Sequence, residues 1–238
     1  MKISSAVFID FLQQIQGPSK HALDEAFINV EADKMWAFVP DPSQQRQVKV
    51  VYLFPAPVTP MEFALSNLRT LIPMLKKLPE KAGTAEFDIT IESAKVKIMC
   101  GKKSLVTPQV AKEYVKQGKA LKSSPPVVFS LEEPYVKDLA NAISSLGERP
   151  LVTLEGSMEA ANLHIKIESG KLSTVFEADY PTQTSGDFKC QFRMMEVLDF
   201  AEGGIEALIG LGAPLIFHYM TKSGIEVTHT LAPYALED

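Results

Sequence analysis

The residues best able to do chemistry are few and poorly spaced for it. The four histidines, His21, His164, His218 and His229, form no H-x-H or HExxH pair, and Cys100 and Cys190 form no C-x-x-C pair. No metal-ligand set can be read from such spacing. His164, His218 and His229 fall in alternating runs, where a hydrogen-bonded or solvent-facing imidazole is expected. Gly101-Lys102-Lys103-Ser104 has a trace of a phosphate loop. Val96, however, stands where that loop needs its first glycine, and Lys103 where it needs Ser or Thr. Gly210-Leu211-Gly212 lacks the rest of a dinucleotide fingerprint, and no G-x-S-x-G elbow occurs. Glu132-Glu133 opens a helix, where the backbone dipole favours carboxylates. We expect no catalytic residue, no metal and no cofactor.

Composition widens this exclusion. Of 238 residues, 46% are hydrophobic and 22% charged, the balance of a globular protein with room for two domains of about 100–150 residues. No run reaches the roughly 18 apolar residues of a membrane span. The start, MKISSAVFIDFLQQIQ, has Asp10 and Gln13 inside its apolar stretch and reads as no secretory signal. The two cysteines are expected as buried free thiols of an intracellular protein. The net charge of −5 hides an asymmetry: residues 1–120 hold 16 Lys/Arg against 12 Asp/Glu, and residues 121–238 hold 8 against 17. Such a split suits a basic working face and an acidic outer surface.

The elements that must position these charges repeat. Ser5–Gln16 spaces Phe8, Phe11, Leu12 and Ile15 as one helix face, stopped by Gly17-Pro18. Alternating runs follow at 26–30, 35–39 and 48–54. Because Pro73 disfavours one long helix, we expect a short strand near 61–65 and a helix over 70–78, with Leu71, Leu75 and Leu78 inward and Lys76 and Lys77 outward. Strands at 86–91 and 95–100 complete the first half. A lysine-rich stretch, PQVAKEYVKQGKALKSSPPVV (108–128), marks the boundary. A helix from Glu133-Pro134 to Gly147 follows, then strands at 151–155, 162–168, 172–178 and 188–193, a short helix over 194–202, and runs at 205–211, 214–220 and 225–231. The helix–strand order thus occurs twice about 125 residues apart, a tandem α+β duplication with helices on one face of antiparallel sheets.

Certain stretches resemble a known family. FKCQFRMMEVLDF (188–200), APLIFHYM (213–220), the closing LAPYALED and the opening MKISSAVFIDFLQQI are similar to segments of DNA polymerase sliding clamps of the proliferating cell nuclear antigen type, which include archaeal and phage clamps. The resemblance implies the DNA clamp fold: domains at 1–107 and 128–238 joined by a connector at 108–127, closed as a homotrimeric ring. Helices would line the hole around duplex DNA. The ring would be set on DNA by a clamp loader and would tether a polymerase without reacting with anything. It implies no membrane and an intracellular site, the nucleus in a eukaryote and otherwise the cytoplasm, a host's for a phage.

A slider needs many weak phosphate contacts and no base readout. The candidates are Lys20, Lys76, Lys77, Lys81, Lys137 and Arg149, with Arg69 as a further basic residue. Glu196, Asp199 and Glu202 oppose that role on the fourth helix: they face elsewhere, or DNA runs closer to the first domain, or the ring holds DNA by topology. The family joins copies by strand edges, here about 103–107 and 172–178. Its partners insert an apolar-aromatic peptide, for which the walls would be Val39, Pro40, Leu121, Pro214, Leu231, Ala232, Pro233 and Tyr234. The alternatives are a subunit of a heterotrimeric ring, a monomeric processivity factor, and a protein-interaction scaffold with no DNA role.

Overall fold

The computed structural model describes residues 1–18, 22–43, 45–79, 85–146, 150–169, 174–193 and 195–234. The chain forms two compact units. One comprises Met1–Pro40, Val48–Lys119 and Lys222–Val227, the other Asp41–Gln47, Ala120–Thr221 and Thr228–Asp238.

The first unit opens with β1 (Lys2–Ser4) and α1 (Ser5–Gln16). Phe8, Phe11, Leu12 and Ile15 are fully buried, as their spacing requires. Gly17 ends the helix at φ 66, a left-handed value that suits glycine, and donates its N–H to Gln13 O. Then come β2 (Glu25–Val30), β3 (Lys34–Pro40), β4 (Arg46–Leu53), whose Arg46 and Gln47 belong to the second unit, and β5 (Met61–Ser66). The next helix, α2 (Leu68–Leu75), leads to β6 (Glu86–Glu92), β7 (Lys95–Cys100) and β8 (Lys103–Pro108).

The second unit repeats that order. It runs β9 (Val127–Leu131), α3 (Glu133–Ser145), β10 (Leu151–Ser157), β11 (Asn162–Ser169), β12 (Thr174–Pro181) and β13 (Phe188–Phe192). A 3₁₀ segment, Met195–Phe200, is followed by β14 (Ile205–Ile209), β15 (Leu215–Met220) and β16 (Ile225–Leu231), whose residues up to Val227 belong to the first unit.

Strand order reveals the duplication more sharply than sequence does. The sheets run β1-β6-β7-β8, β12-β11-β10-β13 and β5-β2-β3-β4-β16-β15-β14-β9. Renumbered by the repeat, β5-β2-β3-β4 becomes β13-β10-β11-β12, and β1-β6-β7-β8 becomes β9-β14-β15-β16. Pairing is antiparallel throughout the described ladders. This is the expected α+β class.

Several boundaries differ from expectation. α2 ends at Leu75 rather than 78, and it begins earlier than 70 because Asp24 caps it from outside: its carboxylate accepts the Arg69 N–H at 3.0 Å and its carbonyl the Leu68 N–H at 3.2 Å. Pro73 lies inside the helix, past the first turn in which a proline is tolerated, so the helix forgoes one backbone bond there. The strand expected at 172–178 is β12, Thr174–Pro181; its start at Leu172, like the turn at Gly147, lies outside the described residues. The last short helix is 3₁₀ in form. The connector makes a 3₁₀ turn at Lys112–Tyr114. In the first unit its Val110 and Val115 pack on Phe27 and Ala64. Gly118 donates to Phe38 O at 2.8 Å, and a Cβ there would lie 2.4 Å from the Phe38 ring. Only glycine allows that approach.

Candidate nucleic-acid and partner-binding surfaces

In the first unit, α2 is built for one-sided exposure. Leu68, Leu71, Ile72 and Leu75 are buried, leaving Arg69, Pro73, Met74, Lys76 and Lys77 in solvent. The Lys76, Lys77 and Leu78 N–H groups all fold back on helix carbonyls at 3.1 Å. Two ammonium groups therefore stand at the negative end of the helix dipole, where cations are favoured. No described residue forms an ion pair with either lysine, so both charges face outward. Lys20 and Lys81 lie outside the described residues.

The second unit has the opposite balance. α3 buries Val136, Leu139, Ala140, Ala142 and Ile143 and exposes Glu133, Lys137, Asp138, Asn141 and Ser144. Lys137 is bonded to Glu133 one turn earlier. Asp138 accepts the Tyr180 hydroxyl at 2.7 Å. Burial and then that carboxylate push the Tyr180 phenol up from its usual pKa. The Ser144 hydroxyl lies 3.0 Å from both Asp199 oxygens. Glu202 is exposed; Arg149 and the Glu196 side chain lie outside the described residues.

The histidines follow the expected pattern of local partners. His164 Nδ1 is 3.0 Å from Asp179, and His218 Nε2 is 3.9 Å from Glu206. His229 is buried between the Phe217 and Tyr219 rings. Burial, and then the charge of Arg46, hold its pKa well below the ordinary imidazole value. His21 lies outside the described residues. Among the described residues no cluster of His, Cys, Asp or Glu could hold a metal ion, and no helix is long and apolar enough to cross a membrane. Cys100 and Cys190 are free and buried.

The residues read as partner walls divide between the units. Val39 is buried and Pro40 half-buried in the first. In the second, Leu121 is exposed and Pro214 half-buried, while Leu231 is fully buried and so a core residue of β16. After Leu231 the chain continues along β13. Ala232 donates to Gln45 O at 2.8 Å, Pro233 bridges to Phe192, and Tyr234 donates to Gln191 O at 2.7 Å. Ala232 and Tyr234 are exposed. The Arg193 guanidinium stacks on Tyr234 with Cζ 4.5 Å from the ring centre. Sequence reasoning passed over Arg193, since nothing local in Gln-Phe-Arg announces a contact 41 residues away.

No family model matches the chain, and no curated protein matches it by sequence. Solved structures do match in fold. Proliferating Cellular Nuclear Antigen from Entamoeba histolytica aligns with a TM-score of 0.75 at 14% identity, over 98% of each chain. A. fulgidus PCNA, solved with the C-terminal region of FEN-1, aligns at 0.78 and 12%, over 100% of this chain and 98% of that one. The PCNA2-PCNA3 complex from Sulfolobus tokodaii aligns at 0.74 and 14%, over 99% and 100%. The chain has the fold of these clamps along its whole described length.

Proposed function

We propose that this protein is a sliding clamp, a DNA polymerase processivity factor that encircles duplex DNA as a homotrimeric ring and performs no catalysis. In this reading residues 1–107 and 128–238 are the two clamp domains, with 108–127 as connector. The ring works inside the cell, is set on DNA by a clamp loader, and tethers DNA polymerase and other replication proteins.

The observation that carries the reading is the strand order. β8 in the first unit and β12 in the second are both edges of their four-stranded sheets. These edges expose Val106 and Val175, each about half accessible. An unpaired edge with apolar side chains invites strand addition. Pairing β8 of one copy with β12 of the next would be a head-to-tail contact, and such a contact closes into a ring when its rotation permits. The edge charges agree: Lys103 lies on β8, and Glu177 and Asp179 on β12. Lys76 and Lys77 supply the sequence-independent attraction to phosphate.

The test is mass and topology together. A homotrimer has three times the 26.2 kDa chain mass. A loaded ring stays on a closed circular plasmid and is lost on linearisation; equal retention on both forms overturns the reading. The acidic groups of α3 and Asp199 favour a second reading, a ring shared with a different, more basic subunit. A similar structure, from Sulfolobus tokodaii, is a complex of PCNA2 with PCNA3. A monomer in isolation that gains mass only with another chain would select it.

A further inference from the structure

We propose that the proline-rich loop between β4 and β5 is a docking ligand for a partner protein whose aromatic-walled groove reads polyproline II helix. The loop lies wholly in the first unit and reads FPAPVTP over residues 54–60. Its prolines hold φ at about −65°, and Phe54, Ala56 and Thr59, each before a proline, are pushed toward extended backbone. The chain bends at Pro55 and Ala56, then reaches β5 through residues that form neither helix nor strand. Exposure there follows a period of three. Val58 and Met61 are half-buried, whereas Ala56, Pro57, Thr59 and Pro60 are exposed. A polyproline II helix has three residues per turn. Val58 and Met61 therefore share the edge against the body of the unit, and Pro57 and Pro60 share an edge in solvent.

The chemistry of the loop selects its partner. Residues 50–61 include no charged side chain, so nothing there attracts phosphate or a charged peptide. Prolines have no N–H, and the N–H groups of Phe54 and Val58 are donated to Asp33 O and Ala32 O, both at 2.8 Å. The loop cannot act as an added β-strand, which must donate along its length. Proline rings and carbonyl acceptors remain, and these are what a groove of aromatic side chains recognises. The two anchoring bonds preform the loop, so docking costs little conformational entropy. The equivalent loop of the second unit, between β12 and β13, is used differently. It is polar, TQTSGD over residues 182–187, and is spent on β9. The Thr182 hydroxyl donates to Ser130 O, the Ser185 N–H donates to Val128 O at 3.0 Å, and Thr184 bridges to Phe129.

The experiment titrates the full chain into two ¹⁵N-labelled probes, an SH3 domain and a WW domain, both readers of proline-rich ligands. The expected result is a saturable shift of the groove Trp indole N–H in at least one probe, at about 1 mM chain or below. Replacing Pro57 and Pro60 together by Ala weakens that binding at least about tenfold. Met158→Ala, which trims an exposed apolar side chain of the second unit, leaves it unchanged. An unaltered circular dichroism spectrum shows that the double variant is folded. No shift in either probe at about 1 mM overturns the proposal. So does binding that the double variant retains. A rise in mass of the chain alone with concentration, abolished by the double variant, overturns it too, since a second copy would then be the occupant. Retention on a closed plasmid stays as in the wild type, because encircling DNA needs no such partner.

Discussion

α2 of the first unit ends on two exposed lysines, whereas the 3₁₀ segment at the equivalent point of the second carries Asp199, tied to Ser144 of α3. The contrast extends inward. Buried Asp, Arg and His side chains among the described residues, namely Asp41, Arg46 and His229, all belong to the second unit, while the buried polar groups of the first are Ser5, Gln14 and Asn29. One strand order therefore supports two electrostatic designs. The first unit keeps an uncharged core and presents cations, the pattern suited to a polyanion. The second uses its charges on itself, in Lys137–Glu133, Tyr180–Asp138, Ser144–Asp199 and the environment of His229. DNA contact should accordingly be concentrated on α2.

The largest expected effect tests that division. Reversing both Lys76 and Lys77 to Glu should lower clamp-stimulated synthesis at least tenfold. The slope of log affinity against log salt should fall by about 2, roughly one for each lost phosphate contact. An unchanged slope would remove α2 from the DNA surface and break the comparison.

The next effect sharpens the contrast between the cores. His229 has a native pKa depressed well below the ordinary value, so the unfolded chain binds its proton more readily. Stability from the neutral imidazole is then full above about pH 6.5 and is lost as pH falls below it, by up to about 1.4 kcal/mol per pH unit. Urea denaturation at pH 7.5 and 5.5 measures this. His229→Gln should flatten the acid dependence, and a wild-type midpoint equal at both pH values would contradict it.

A smaller effect concerns how α3 is tied to β12. Tyr180→Phe should cost about 1 kcal/mol at neutral pH. Because the phenol pKa is raised in the folded state, its contribution is whole below about pH 10 and lost as pH rises above that. The variant should therefore lose less stability than the wild type in alkali. Parallel alkaline curves would show that the hydroxyl contributes nothing.

What the sequence disclosed follows from how local each determinant is. α1 was legible because Phe8, Phe11, Leu12 and Ile15 carry a 3.6-residue period and Gly17 stops it within the same window. β1 and β9 were not. Three residues at Lys2–Ser4 become a strand only by pairing with β6 about 85 residues away, and β9 only by pairing with β14. The strand near 174 was legible from alternation, whereas the edge near 103 was reached only through the family resemblance. Alternation along β16 would have marked Leu231 as core, since Ile225, Val227 and His229 share its parity and its burial. Arg193 could be found only once Tyr234 was seen to return to β13.

Lys137 carries the smallest and most diagnostic prediction. Its basic charge and its outward position on α3 made it a DNA candidate, yet Glu133 stands one helical turn before it, and the two are bonded. An exposed i,i+4 pair adds about 0.3–0.5 kcal/mol. The local charge of the pair is nearly zero, so phosphate gains little from approaching it. Lys137→Ala should leave the salt slope within error of the wild type and shift stability by less than about 0.5 kcal/mol. Glu133→Gln is the informative partner variant, because it frees the Lys137 ammonium without adding a charge. If DNA runs past α3 as closely as past α2, Glu133→Gln should steepen the salt slope by about 1. If contact is confined to the first unit, the slope should not move, and the two variants together measure how unevenly the repeat shares its work.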